Sequence, residues 1–297
     1  MDTVDSAETV AVVGLGAVGT AFAASLAEAG HEVVACGRRP LERIEITDER
    51  GTRAYPVGWA GSPEDAGPVP FVVLATKIHD TPATAEWLAR LTADGGHVVV
   101  AQNGVDHRER VEPLVGAAAV VPALVYLNAE RTAPGSVRVR RTERDLVLPD
   151  DAAAKAAANL FETSGLTVET HADFRTAAWR KMLTNVAANP ITALTGRRVE
   201  VLTEPAVADL ALAVLREAVA VGRAEGAQLT DADATRTLAW LQGLAPGSTT
   251  SMLQDREAGR RLEYDGLTGT IARLGDRHGE AVEANRALLA LLSAISA

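Results

Sequence analysis

The pattern of apolar and polar positions changes character past the middle of the chain. In the first part, short β-branched and apolar runs alternate with stretches whose apolar residues recur at helical spacing. Alternation of this kind favours a doubly wound, mainly parallel α/β sheet. The predicted strands are residues 9–13, 31–36, 71–75, 97–101 and 118–121, with helices over 20–29 and 81–91.

Beyond these elements the pattern predicts a polar hairpin over 136–148, a helix over 151–162 and a strand over 166–169. After about residue 172 strand-like runs stop and helical patterns dominate. The helices predicted there cover 174–188, 205–225, 231–244, 252–257, 263–278 and 283–296. We therefore predict an α/β domain over residues 1–171 and an all-α domain over residues 172–297.

A glycine-rich turn directly follows the first predicted strand. Gly14, Gly16 and Gly19 form the pattern G-x-G-x-x-G between a strand and a helix. In that context the first glycine permits a tight turn, the second lets the backbone approach a pyrophosphate, and the third allows close helix packing. The alternative is a glycine turn that binds nothing. The dinucleotide-binding residues predicted here are Gly14, Leu15, Gly16, Ala17, Val18 and Gly19.

The end of the second predicted strand indicates which nicotinamide cofactor is bound. NAD sites usually carry a carboxylate there, which holds the ribose hydroxyls. This stretch instead reads Cys36-Gly37-Arg38-Arg39-Pro40, with two cations and no acid. A guanidinium pairs with a 2′-phosphate that a carboxylate would repel. We therefore predict NADPH, with Arg38 on the phosphate; the alternative is that one or both arginines are solvated surface residues.

Two later strand ends point to the same cofactor. Lys77 follows the strand over 71–75, and Asn103 follows the strand over 97–101. Ligands of open α/β sheets bind beyond the carboxyl ends of strands. Lys77 and Asn103 are therefore predicted to lie beside the cofactor.

Lysine is scarce in this chain. Of its 29 Lys and Arg residues, only Lys77, Lys155 and Lys181 are lysines. A lysine can release its proton when burial or a neighbour lowers its pKa, whereas arginine cannot. Lys181, Asn185 and Asn189 lie four residues apart on one face of a predicted helix, which Pro190 should end near Asn189. An ammonium and two amides on a mostly apolar helix indicate a ligand-facing surface; the alternative is a solvated face.

A second polar segment follows the loop over 245–250. Ser251 with Gln254 fits a helix capping box, which would be a structural role. Gly259 is a predicted helix end, and Glu263 begins the next predicted helix. One straight helix would hold Ser251 and Glu263 about 18 Å apart. A chain that folds back at Gly259 can bring both residues to one small substrate.

Composition narrows the classes of function. The net charge is −10 and no basic run interleaves with aromatic residues, so no nucleic acid partner is expected. Residues 1–8 are acidic without an apolar stretch, and no apolar run nears the roughly 18 residues of a membrane span. Cys36 is the only cysteine, and the histidines show no metal-ligand spacing. We expect a cytoplasmic protein with no metal and no membrane partner, and a homodimer is possible.

In the order and spacing of these motifs, the chain resembles the ketopantoate reductases (2-dehydropantoate 2-reductases) along essentially its whole length. The resemblance is carried by the glycine turn, Arg38, Lys77, Asn103-Gly104, the helix with Lys181, Asn185 and Asn189-Pro190, and Ser251-Met252-x-Gln254-Asp255 with Glu263. It implies a Rossmann domain followed by an all-helical domain, with the active site between them. It also implies NADPH-dependent reduction of a 2-oxo acid, 2-dehydropantoate, to pantoate.

The resemblance further implies a role for each site residue. Lys181 would be the general acid that protonates the carbonyl oxygen as hydride arrives from the nicotinamide, and Glu263 would lie near it. Ser251 would hold the substrate carboxylate. The implied substrate-binding residues are Asn103, Asn185, Asn189 and Ser251, with Asn103 between cofactor and substrate.

The sequence departs from the family pattern at three positions. Val199 and Ser248 stand where amides are common, and Leu262 where threonine is usual. These changes leave hydride transfer intact, but a site that loses two amides binds a dihydroxy acid differently. A reductase of another 2-oxo acid therefore stays open, as does a non-catalytic NADPH-binding sensor. The segment from Ser251 to Glu263 argues against the β-hydroxyacid dehydrogenases, which also place a lysine and an asparagine on a helix.

Overall fold

The structure is a computed structural model that describes residues 7–296. The chain divides into two compact units. One comprises the described residues up to Gln102 together with Asp106–Phe174. The other comprises Asn103–Val105 and the chain from Arg175 onward. The short segment Asn103–Val105 belongs to the second unit, although it lies far before the predicted boundary near residue 171. The position of that boundary stays a prediction.

The first unit alternates strands and helices over its length. Its strands are β1 (Thr9–Val13), β2 (Glu32–Cys36), β3 (Arg43–Asp48), β4 (Gly51–Pro56), β5 (Gly58–Ala60), β6 (Phe71–Leu74), β7 (His97–Val100), β8 (Ala119–Pro122), β9 (Leu124–Val125), β10 (Asn128–Ala133), β11 (Ser136–Arg140), β12 (Leu146–Pro149) and β13 (Val168–His171). Its α-helices are α1 (Ala17–Glu28), α2 (Ala85–Leu91), α3 (His107–Val111) and α4 (Ala152–Asn159), and 3₁₀ turns cover Pro63–Asp65, Ile78–Thr84 and Glu112–Leu114.

A six-stranded sheet in the order β5-β2-β1-β6-β7-β8 forms the centre of this unit, and every neighbouring pair is parallel. Its central strands are buried on both faces, as expected for short apolar runs in a parallel sheet. Helix α1 packs Phe22 and Leu26 into the core on one side, and Leu88 of α2 lies in a separate core cluster. The predicted parallel sheet is therefore confirmed.

Two smaller sheets complete the first unit, in the orders β10-β11-β3-β4 and β13-β12-β9. The predicted hairpin over 136–148 is wrong, because β11 pairs with β10 and β3 whereas β12 pairs with β13 and β9. Five further strands have no counterpart among the predicted elements: β3, β4, β5, β9 and β10. Most residues of β4 and β10 are exposed, so these strands lack the apolar runs that identify the central sheet.

The second unit is helical. Its α-helices are α5 (Phe174–Thr195), α6 (Pro205–Ala224), α7 (Asp231–Gln242), α8 (Ser251–Glu257), α9 (Thr268–His278) and α10 (Glu283–Ile295), and a 3₁₀ turn covers Val199–Thr203. They enclose one core cluster that includes Trp179, Leu215 and Ile271. The predicted class, a mainly parallel α/β region followed in the chain by an all-α region, is confirmed. Within residues 7–296, no helix has the length and apolar character needed to cross a bilayer.

Two helix boundaries of the second unit correct the sequence analysis. Helix α5 does not end near Asn189 but continues through Pro190 to Thr195. Burial of Ile191 and Ala193 in the core outweighs the local cost of the proline. Helix α9 begins at Thr268, so Glu263 lies in the irregular segment before the turn that leads into it, rather than on a helix.

Candidate active site

The glycine turn is shaped by packing at two positions and by open space at the third. A Cβ on Gly14 would lie 2.6 Å from Thr76 N, and one on Gly19 would lie 1.9 Å from Gly14 O, so neither site accepts a side chain. Gly14 also has a φ of 96°, in the left-handed region that favours glycine. A Cβ on Gly16 would meet nothing within 4 Å, which leaves room for a ligand to approach the backbone.

Helix α1 begins directly after this turn without a side-chain cap. Gly16 is its N-cap residue, and its first turn contains no acidic side chain. The first N–H groups of a helix have no partner within the helix, and the helix dipole favours an anion there. This turn fits the pyrophosphate of a dinucleotide in three ways. The backbone at Gly16 is open to a ligand, the helix start has no side-chain cap, and the first turn carries no carboxylate. The remaining turn residues Leu15, Ala17 and Val18 are partly buried against the core.

Arg38 and Arg39 follow β2 on the surface of the same unit. Both side chains are exposed. In the part of the chain from residue 7 to 296, neither arginine forms an ion pair or a side-chain hydrogen bond. Two unneutralised guanidinium groups beyond the end of β2 fit an additional phosphate on the adenosine ribose.

The ends of β6 and β7 are joined by a buried amide that the sequence analysis missed. Gln102 is 4% exposed, and its Nε2 donates to Thr76 O at 3.1 Å and to Thr76 Oγ1 at 3.0 Å. The same Nε2 also lies 2.9 Å from Thr81 Oγ1, within hydrogen-bond distance. Gln102 thus fixes the residue directly before Lys77, which is partly buried at the start of the 3₁₀ turn. The only sequence signal was its place between a strand and Asn103.

Lys181, Glu263 and Asn103 come together in the second unit. Burial lowers the pKa of the Lys181 ammonium to about 8, while the Glu263 carboxylate acts in the opposite direction and raises it. Glu263 is 5% exposed, and its Oε2 accepts a hydrogen bond of 3.2 Å from Asn103 Nδ2. The structure therefore groups three of the residues singled out from the sequence. A lysine whose pKa lies near neutrality can donate a proton at physiological pH.

The other predicted substrate residues lie on α5 and at the start of α8. Asn189 Oδ1 accepts from Ser251 Oγ at 3.4 Å and from Met252 N at 3.3 Å, which joins the two helices. Asn185 is partly buried on α5, one turn from both Lys181 and Asn189. The Asn189 side chain is 4% exposed, whereas Ser251 is exposed.

The predicted capping box at Ser251 is wrong. The N-cap of α8 is Thr250, whose Oγ1 accepts from Leu253 N at 3.2 Å, and Ser251 is the first residue of the helix. Thr250 Oγ1 also lies 2.7 Å from Thr192 Oγ1, so a hydroxyl pair adds a second link between α5 and α8. Because Thr250 takes the capping role, the Ser251 hydroxyl is not committed to it.

Comparison with known proteins assigns the family. The sequence model described as "Ketopantoate reductase PanE/ApbA" matches residues 10–151, and that described as "Ketopantoate reductase PanE/ApbA C terminal" matches residues 173–296. Together they span most of the chain. The chain belongs to the ketopantoate reductase family.

Individual relatives agree with this family over nearly the whole chain. A 2-dehydropantoate 2-reductase of Mycobacterium tuberculosis is 40% identical over 292 residues, which cover 97% of each chain. The crystal structure of a PanE/ApbA family ketopantoate reductase from Ralstonia eutropha JMP134 is 31% identical, with a TM-score of 0.88 over 97% of this chain and 98% of that one. A dimeric ketopantoate reductase from Staphylococcus aureus is 25% identical, with a TM-score of 0.85 and coverage of 97% and 98%.

Two departures from the ketopantoate reductase pattern are neighbours in the structure. Val199 is 2% exposed, and its backbone N donates to Ser248 O at 3.0 Å. Ser248 Oγ donates to Ala245 O at 2.6 Å, so its hydroxyl serves the local turn. The third departure, Leu262, is buried in the core directly before Glu263. Within residues 7–296, no group of three or more His, Cys, Asp or Glu side chains could hold a metal ion.

Proposed function

We propose that this chain is an NADPH-dependent ketopantoate reductase that reduces 2-dehydropantoate to pantoate. The observation that carries the proposal is the cluster of Lys181, buried Glu263 and Asn103, in which Asn103 Nδ2 donates to Glu263 Oε2 at 3.2 Å and burial lowers the pKa of the Lys181 ammonium, in a chain of this family. Bound NADPH supplies the hydride to the substrate carbonyl carbon. The product alcohol then needs one proton on its oxygen, which is the step that this chain provides.

Lys181 is the general acid in this proposal. Its Nζ donates a proton to the substrate oxygen and stabilises the negative charge that develops there, after which solvent returns the proton to the lysine. Glu263 keeps enough of the Lys181 population protonated, because a neighbouring carboxylate favours the ammonium. The Asn103 amide holds the Glu263 carboxylate through its hydrogen bond.

The substrate is held by hydroxyl and amide groups of α5 and α8. Ser251 binds the substrate carboxylate: the residue is exposed, and its single O–H turns from Asn189 Oδ1 to the carboxylate when the substrate binds. Asn185 and Asn189 bind a substrate hydroxyl. Because Asn189 Oδ1 already accepts two hydrogen bonds, its Nδ2 group is the part assigned to the substrate.

The cofactor is assigned as NADPH rather than NADH. The turn from Gly14 to Gly19 binds the pyrophosphate, and Lys77 and Asn103 contact the cofactor beyond the strands that precede them. Arg38 binds the 2′-phosphate, supported by its exposure and by its lack of an acidic partner among residues 7–296.

Turnover of a panel of 2-oxo acids with NADPH tests the proposal. We expect NADPH oxidation with 2-dehydropantoate, measured by the loss of NADPH absorbance, and kcat/KM values for other 2-oxo acids well below that value. Binding of NADPH without turnover of any member of the panel would contradict the enzyme assignment and favour an NADPH-binding sensor.

A reductase of another 2-oxo acid is the second candidate. The paired departures at Val199 and Ser248 favour it, because their backbone contact places both changes in one part of the second unit. Turnover of another 2-oxo acid with no turnover of 2-dehydropantoate would establish this candidate in place of the first.

We also propose a cytoplasmic homodimer that serves pantothenate biosynthesis. The Staphylococcus aureus relative is described as dimeric, and the lone Cys36 is consistent with a reducing compartment. Sedimentation should give a mass of about twice 31.0 kDa. A mass that stays at the monomer value across a hundredfold range of concentration would contradict the dimer.

A further inference from the structure

An exposed tryptophan lies beside the end of β2. Trp59 is on β5 and is 43% exposed, and its indole Nε1 donates to Gly37 O at 2.9 Å. A single exposed aromatic residue is ordinary on a protein surface. This one is distinguished by its bond to the residue directly before Arg38.

The Trp59 ring is confined as well as bonded. A Cβ on Gly61 would lie 2.6 Å from Trp59 Cζ2, so the ring lies directly against the backbone of that glycine. The backbone of Trp59 is also fixed, because β5 pairs in parallel with β2 and places Trp59 opposite Ala35. The indole N–H is therefore held in place from two sides.

Gly37 is held at both of its peptide groups. Its N–H donates to Ala60 O at 3.1 Å, and its carbonyl accepts from Trp59. A glycine on its own has wide conformational freedom. Because the Gly37 carbonyl and the Arg38 N–H belong to one planar peptide unit, the bond from Trp59 sets the direction in which Arg38 leaves the strand.

We propose that Trp59 is a positioning residue for cofactor selectivity, which acts through the Gly37–Arg38 peptide to direct the Arg38 guanidinium at the 2′-phosphate. The inference rests on the proposed use of NADPH. Without the indole N–H, the Gly37–Arg38 peptide can rotate about the Gly37 backbone, and Arg38 samples a wider range of directions. The resulting loss falls on ligands with a 2′-phosphate and spares those without one.

Two nucleotides that differ only in this group isolate the effect. Adenosine 2′,5′-bisphosphate and adenosine 5′-monophosphate are titrated by calorimetry against the full-length protein, and the ratio of their Kd values measures 2′-phosphate selectivity. Trp59→Phe keeps the ring and removes the N–H. We expect the selectivity ratio to fall about threefold to tenfold, the net worth of one hydrogen bond.

The matched control is Trp240→Phe, which changes another exposed tryptophan, on α7 of the second unit, and should leave the ratio unchanged. Arg38→Ala should remove most of the selectivity. Adding Trp59→Phe to Arg38→Ala should then lower the ratio no further, because Trp59 acts through Arg38.

Each remaining outcome overturns the inference in a recognisable way. Equal weakening of both nucleotides in Trp59→Phe would show a general structural role, and an unchanged ratio would show none. An additive loss in the double variant would separate Trp59 from Arg38. If the wild-type protein did not distinguish the two nucleotides, both the NADPH assignment and this inference would be wrong. The proposed reduction of a 2-oxo acid is tested separately by turnover and would not be contradicted by that result.

Discussion

Burial of the Lys181 ammonium disfavours its charged form. Removal from water outweighs the attraction of Glu263, so the pKa of the lysine falls from 10.5 to about 8. A proton donor is most effective when its pKa lies near the working pH, because both protonation states are then accessible. In the proposed mechanism, arginine at this position would keep its proton and could not act as the acid, which accounts for a lysine here in a chain rich in arginine.

Replacing Lys181 should stop proton transfer without removing the cofactor. We expect kcat for 2-oxo acid reduction to fall by about 10²–10⁴ in Lys181→Ala, the usual contribution of a general acid. Lys181→Arg keeps the positive charge and should be nearly as inactive. NADPH binding should stay near the wild-type value in both variants. Near-normal turnover in either variant would remove Lys181 from the mechanism.

The pH profile should depend on Glu263. Lys181 is protonated below its pKa, so activity should be high below about pH 8 and fall as the pH rises through that value. Glu263→Gln removes the carboxylate that raises this pKa, so the alkaline limb of kcat should move to lower pH. An alkaline limb that stays in place in this variant would contradict the coupling between the two side chains.

At the level of elements, the continuation of α5 past Pro190 matters for the site. A local rule predicts that the helix ends near Asn189, since the residue before a proline avoids the helical region. Core packing of Ile191 and Ala193 overrides it. The added turn carries Thr192, whose hydroxyl meets Thr250 at the start of α8. No local pattern could predict this link, because it joins residues 58 positions apart.

Variants of Thr250, the N-cap of α8, and of Ser251, its first residue, should separate effects on stability from effects on substrate binding. Thr250→Ala removes both the cap and the contact with Thr192, and should lower the free energy of unfolding by about 1 kcal/mol. Thr250→Ser keeps the hydroxyl and should lose less.

Ser251→Ala serves as the neighbouring comparison to the Thr250 variants. It removes only the 3.4 Å hydrogen bond from Ser251 to Asn189, so it should lower the melting temperature less than Thr250→Ala does while it raises KM for the 2-oxo acid. Thermal melts and steady-state kinetics of the three variants check this separation. A large loss of stability in Ser251→Ala would assign this serine a structural role instead.

A cluster of charges joins α1 to the β3–β4 hairpin. The Asp48 side chain is 1% exposed and accepts from Arg53 Nη1 at 2.8 Å and Nη2 at 2.9 Å. Arg53 Nε also lies 3.3 Å from Glu28 on α1. The hydrogen bonds from Arg53 are the main reason that the pKa of Asp48 lies well below its usual range.

Asp48→Asn should therefore lower stability in a pH-dependent way. At neutral pH we expect a loss of about 1.5–3 kcal/mol, the worth of a hydrogen bond to a charged group. The carboxylate has a lower pKa in the folded than in the unfolded state, so its contribution is present above about pH 4 and is lost as the pH falls further.

Denaturant melts from pH 3 to pH 8 should show wild type and Asp48→Asn converging on the acidic side. Glu130→Gln, which breaks an exposed pair with Arg138 in the same sheet, should change little at any pH. A constant difference between wild type and Asp48→Asn across the range would contradict the pKa assignment.

Over the whole chain, the features predicted correctly are those that local pattern determines. The central parallel strands are continuous apolar runs, and the second unit repeats at helical spacing, so both could be identified from the sequence. The smaller sheets could not, because β4 and β10 expose most of their residues and lack apolar runs, and because β11 pairs with β3 from a distant part of the chain. The same holds for the site: Lys181 was marked by scarcity and spacing, whereas Gln102 and Thr250 act through contacts that only the fold creates.

Cofactor preference should appear in the stability of the folded protein. A ligand that binds only the folded state at one hundred times its Kd stabilises by about 2.7 kcal/mol. If the 2′-phosphate contact is worth about 2 kcal/mol, NADH at the same concentration should stabilise by only about 1 kcal/mol.

Arg38→Ala should remove this difference between the cofactors. Arg39→Ala makes the same change in net charge and should retain most of the difference, which excludes a general electrostatic effect. Thermal melts with each cofactor give the comparison, and equal shifts for NADPH and NADH in the wild-type protein would contradict the assignment of Arg38.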